Sequence, residues 1–124
     1  MGEIDQNQNN GNDLQQRLFN FSVKVILLIR ALPRSKEYQV LDYQLIRSSS
    51  SCGANYEEAQ GAVSKADFSN KIGITLKEMR ESNYWIRLII AVTKPNEDWQ
   101  NLNKESYELM NILGKIYSKI SIKR

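Results

Sequence analysis

The sequence predicts an all-α fold, an antiparallel up-down bundle of four helices. Three observations predict it. Proline occurs only at Pro33 and Pro95, and glycine is scarce after Leu14, so helix-breaking residues are confined to a few places. Apolar residues recur at four- and three-residue intervals through four long segments. The links between those segments are short, which makes consecutive helices run in opposite directions. The 124 residues suit one domain with a modest core, and 41% apolar with 25% charged residues is a globular composition.

Residues 1–12 are rich in Asn and Gln and hold few apolar groups, so a flexible polar tail is expected there, with the bundle occupying 13–124. The first helix is expected from Asp13, as N-cap, to Leu32 before Pro33. Leu14, Leu18, Phe21, Val25, Leu28 and Leu32 form its inner stripe. Phe19, Val23, Ile26 and Ile29 carry the apolar surface well beyond that stripe, so a neighbouring subunit is expected to cover the remainder.

The second helix is expected from Ser35 or Lys36 to Gln60, ending at Gly61, with Leu41, Leu45, Ser48, Cys52, Asn55 and Ala59 facing inward. The third starts at Ser64, where "SKAD" fits a capping box with Asp67 in place of the usual Glu. Its two adjoining stripes are Phe68, Ile72, Thr75, Met79, Ser82, Ile86 and Ile89, and beside them Ile74, Glu78, Glu81, Trp85, Leu88 and Val92. It ends near Thr93, before Lys94-Pro95. The fourth starts between Asn96 and Asn103, with Asn96 a reasonable cap, and turns Leu102, Ser106, Leu109, Leu113, Ile116 and Ile120 inward.

No apolar run approaches the roughly 20 residues that cross a bilayer. The polar, acidic opening "MGEIDQNQNNGND" is unlike a signal peptide, and Gln6 stands where a myristoylation signal needs Ser or Thr. A cytoplasmic, non-membrane protein is expected, in keeping with the single Cys52. The absence of histidine removes the commonest general base and transition-metal ligand. Neither catalysis nor a cofactor is expected.

The stretch "RSSSSCGANYEEAQGA", from Arg47 to Ala62, looks rich in nucleophiles. It has neither the spacing nor the lysine of a phosphate-binding loop, and no histidine to activate Ser or Cys. Its pattern is that of a helix with small residues on its packing face. If the second and third helices fold back on each other around Ala62-Val63, facing positions sum to roughly 125. That register sets Arg47 near Glu78, Gln44 near Glu81, Cys52 near Gly73, Asn55 near Asn70 and Glu58 near Asp67. A structural polar layer of Arg47, Gln44, Asn55, Glu58, Glu78 and Glu81 is therefore expected, with the Arg47 fork holding a carboxylate. Paired glutamates also raise a di-metal site, but that motif wants Glu-x-x-His, so no metal is expected.

The net charge of +3 is unevenly spread. Arg17, Lys24, Arg30 and Arg34 form one basic group; Lys115, Lys119, Lys123 and Arg124 form another. They suit nucleic acid, RNA or DNA. The simpler reading of these charges, and the favoured one on charge alone, is solvated faces and cations set near helix C-termini.

The segment from Gln44 to Ile89 resembles a bacterial four-helix-bundle family named for reading frames inside 23S rRNA intervening sequences, and the match covers about Leu14 to the end of the third helix. The resemblance rests on Gln44, Leu45, Arg47, Ser48, Ser51, Ala54, Asn55, Glu58 and Ala59, then Ser64, Asp67 and Phe68, then Lys77, Glu78, Glu81, Tyr84 and Trp85, with Ile86 where the family pattern has Leu. It implies a cyclic homo-oligomer, commonly a pentamer, and no enzymatic activity. A related branch, accessory proteins of diversity-generating retroelements, is similar in shape, binds nucleic acid and partners a reverse transcriptase. The expected role is a non-enzymatic oligomeric scaffold or binding module engaging nucleic acid through basic surfaces. The alternative is a purely structural or protein-binding oligomer, including a reverse-transcriptase accessory protein.

Overall fold

The computed structural model describes the backbone of residues 2–121 and the side chains of residues 13–120. It holds four α-helices, α1 (Gly2–Ile29), α2 (Lys36–Gln60), α3 (Lys65–Val92) and α4 (Glu97–Ser121), and no strand among the described residues. Each helix packs against two others: α1 and α3 both lie against α2 and α4. The four inner stripes meet in one core. Leu18, Phe21 and Val25 of α1, Leu45 and Cys52 of α2, Ile72, Met79, Ile86 and Ile89 of α3, and Leu109 and Leu113 of α4 are shut off from solvent.

The caps explain where α3 and α4 begin. The Ser64 hydroxyl accepts the Asp67 N–H at 3.0 Å, while the Asp67 carboxylate accepts the Val63 N–H at 3.2 Å, one residue before the position a standard capping box reaches. The Asn96 side chain accepts the N–H groups of Asp98 and Trp99, which makes it the cap of α4. Gly61 follows α2 at φ −106°, so the helix ends there without the left-handed turn that would demand glycine.

α1 departs from expectation at both ends. Asp13 is an interior residue of the helix rather than its N-cap. The polar tail expected over 1–12 falls on residues whose side chains lie outside those described. At the other end the helix stops at Ile29, and Ala31 and Leu32 donate to Leu28 and Ile29 in a tightened turn before Pro33. Proline sets the furthest point a helix can reach, not the point at which it stops.

Three aromatic residues missed by the stripes are buried: Tyr38, Tyr56 and Trp99. The Tyr38 hydroxyl donates to the Val92 carbonyl at 2.9 Å, tying the start of α2 to the end of α3. No helix among the described residues is long and apolar enough to cross a membrane.

Candidate functional site

Along the α2–α3 seam, later positions of α2 meet earlier positions of α3. Arg47 stands at its middle. Its Nε donates to Gln44 Oε1 at 3.4 Å, one terminal nitrogen lies 3.4 Å from Glu78 Oε1, and the other donates to Glu81 Oε2. Glu81 Oε2 also accepts the Trp85 indole N–H at 3.0 Å. That bond, followed by Arg47, holds the Glu81 carboxyl below the usual carboxylate range. The Arg47 side chain keeps 38% of its surface exposed, which limits each ion pair to about 1 kcal/mol or less. The expected Arg47–Gln44–Glu78–Glu81 cluster is thus brought together, with Gln44 bound to Arg47 and not to Glu81.

Asn55 and Glu58 do not join it. Asn55 donates within its own helix, to the carbonyl and hydroxyl of Ser51, and Asn70 opens onto a different groove. Glu58 lies exposed, 3.9 Å from Lys71, which itself donates to Asp67 at 3.0 Å. Lys71, ahead of the Val63 N–H, holds the Asp67 carboxyl below its ordinary value. Cys52 meets the Thr75 carbonyl rather than Gly73. The cause is the register: contacts such as Ser48–Ser82 and Tyr38–Val92 lie a few positions beyond the expected sum. A slip of two residues turns a helix position by roughly 200°, onto the opposite face. Gly73 accordingly faces α4, where an added Cβ would stand 3.0 Å from the Tyr117 ring.

The structure adds polar contacts that the stripes did not reveal. The hydroxyls of Ser48 and Ser82 pair at 2.7 Å inside the core, and Ser22 donates to the Ser49 carbonyl across α1 and α2. Between α3 and α4, buried Asn83 donates to Asn103 at 2.9 Å and to Ser106 at 2.8 Å, and accepts from Arg87 at 2.9 Å. Every polar atom of that side chain is used, as a buried amide requires. Among the described residues Asp42 Oδ1 is buried without a partner, and burial pushes its carboxyl above the ordinary value.

Little here suits nucleophilic or metal chemistry. The Cys52 thiol is fully buried, and burial pushes its pKa up, away from the reactive thiolate. Among the described residues no group of three His, Cys, Asp or Glu is placed to hold a metal ion.

The basic residues divide. Arg17 forks onto Glu105 at 2.7 Å and Glu108 at 2.8 Å, tying α1 to α4. Lys24 lines a hollow shared with Asp98 and Glu105. Arg30, Arg34 and Lys119 have no ion-pair partner among the described residues, and Lys123 and Arg124 lie outside those described. Lys115 lines a groove between α3 and α4 with Arg80, Asn111, Gly114 and Ser118. Arg80 also lines the adjoining groove of about 570 Å³, with Ser69, Asn70, Lys77 and Tyr117. Lys77 and Arg80 were absent from the sequence-derived set because that set followed runs of like charge. α3 mixes its charges along the chain and separates them only around its circumference.

The family described as 23S rRNA-intervening sequence protein matches residues 11–115. A solved structure from Bacteroides thetaiotaomicron, a protein with unknown function from the S23 ribosomal protein family, is 34% identical, with a TM-score of 0.78 over 87% of this chain and 97% of its own. No curated protein matches.

Proposed function

The chain belongs to the 23S rRNA-intervening sequence protein family, and from that premise we propose that it is a non-catalytic helical scaffold that assembles with copies of itself and engages nucleic acid. In this reading the helices form an antiparallel up-down bundle, and the copies close into a ring, a pentamer by resemblance. The observation that carries it is the outer face of α1. Phe19 is 57%, Val23 39%, Ile26 37% and Leu27 53% exposed, on a helix whose opposite side already fills the core. Such a face on so short a chain is an association surface. The nucleic-acid part rests on cations left without carboxylates, namely Arg30, Arg34, Lys115 and Lys119.

A second reading, a scaffold that binds only protein, is favoured by Arg17 and Lys24. Glu105, Glu108 and Asp98 neutralise that side of α1. The protein partner is then another copy or, by resemblance, a reverse transcriptase. Light scattering combined with nucleic-acid binding at two salt concentrations separates the readings. The first expects a mass several times that of one chain and an affinity that falls steeply with salt. A monomer defeats both, and an oligomer that binds nothing at low salt leaves the second.

A further inference from the structure

We propose that the groove between α3 and α4 is a binding site for single-stranded nucleic acid, with Lys77, Arg80 and Lys115 on successive phosphates and Tyr117 against a base. The assignment rests on the nucleic-acid part of the reading above and gives it a place.

Several independent features meet there. Lys77 and Arg80 sit one turn apart on α3, and Lys115 faces the groove from α4. All three side chains are exposed and none forms a salt bridge among the described residues, though Lys77 acts on the Glu81 carboxyl one turn further along α3. Every carboxylate that neutralises Arg17 and Lys24 lies elsewhere, and no acidic residue lines this groove. A set of exposed cations without salt bridges in one concave strip is the electrostatic footprint of a polyanion. The same lining holds neutral donors and acceptors, Asn70 and Ser118 among them, suited to phosphate and sugar oxygens.

The shape selects a strand over a lone phosphate. From Ser69 to Arg80 the groove follows α3 for roughly 16 Å at the helical rise. Arg80 lines both halves, with Lys77 one turn before it and Lys115 sharing its hollow from α4, so the cations stand where the halves join and the neutral lining continues beyond them toward Ser69. Tyr117 adds an aromatic ring to the lining, and stacking on a side chain is open to an unpaired base but not to one inside a duplex. Gly114 leaves its part of the strip open, since an added Cβ would meet no atom within 4 Å, whereas Gly73 makes room for the Tyr117 ring.

The test measures binding of a fluorescent single-stranded oligonucleotide to the full chain across a salt series. Three phosphate contacts give a slope of about −2 in log K against log salt, so a fourfold rise in salt weakens binding roughly twentyfold. The triple variant Lys77→Gln/Arg80→Gln/Lys115→Gln is expected to bind at least tenfold more weakly at low salt. A charge-matched control, Lys36→Gln/Lys94→Gln/Lys104→Gln, is expected to stay near the parent. Gly114→Leu keeps the charge, favours the helix and fills the groove; it is expected to weaken binding without removing the salt dependence. Equal affinity of the parent and both groove variants overturns the groove while leaving nucleic-acid binding in place. No binding by the parent at low salt overturns the functional reading itself. Tighter binding of duplex, or equal binding of a mononucleotide, overturns the assignment to a single strand.

Discussion

Asp42 and Glu81 are two carboxylates whose surroundings act in opposite directions. Burial raises the Asp42 carboxyl, and its Oδ1 has no partner. A folded-state value above the unfolded one, about 3.9, means that the ionised group disfavours the fold at neutral pH. That penalty fades as pH falls through the folded-state value. Asp42→Asn is therefore expected to raise the melting temperature at pH 7 and to leave it nearly unchanged near pH 3, as thermal melts at both values would show. Glu81 is lowered by Trp85 and Arg47. Its contribution is present above the unfolded value, about 4.3, and is lost as pH falls through the folded one. Glu81→Gln should thus flatten the decline in melting temperature below about pH 4.3; an unchanged acid limb would show that the Arg47 cluster does not contribute. The two sites also differ in how far they could be read. Arg47 facing acids one turn apart was legible, because a guanidinium fork can reach both carboxylates at that spacing. Asp42 and Asn83 were not, since a polar residue in a helical pattern looks the same whether it meets water or the next helix.

Helix boundaries follow a similar logic. α2 and α3 begin and end, and α4 begins, close to where the sequence puts them, and Ser64 and Asn96 leave a chemical signature in the order of residues. The Ser64 hydroxyl takes one N–H that the first turn of α3 otherwise leaves unmet. Ser64→Ala is expected to cost about 1 kcal/mol, read as a fall of about 4 °C in the melting midpoint. Ser64→Asp, which can still cap, should recover most of it. A fall shared by both variants would mean that the turn, not the cap, was disturbed. The α2–α3 register expected from the turn is a few residues short of the contacts seen. An estimate from the turn alone carries the uncertainty of the turn, and a slip of that size moves Cys52 from Gly73 to Thr75. Gly73 thereby becomes free to admit Tyr117.

For the whole molecule, the question is what meets the outer face of α1. An excess of apolar residues on that helix was readable directly, because one bundle uses only one side of it. The second surface of an interface leaves no such signal, and a ring needs one: each copy must present two different patches, whereas a two-fold dimer uses the same patch twice. Val40, 55% exposed, and Tyr43, 64% exposed, form an apolar pair one turn apart on the outside of α2 and supply a candidate for that second patch. The two symmetries respond differently to a complementation experiment. Phe19→Glu should remove the first patch and Tyr43→Glu the second; both positions are surface sites, so the fold of each chain should change by no more than about 0.5 kcal/mol. Each variant alone is expected to be a monomer by light scattering. Mixed, they retain one intact α1 face and one intact α2 face between them, so a ring-forming protein yields a heterodimer that cannot grow. A two-fold assembly through α1 instead leaves Tyr43→Glu with the parent mass and gives the mixture no new species. Self-assembly by either route fails if Phe19→Glu keeps the parent mass, and the exposed stripe must then belong to a different partner.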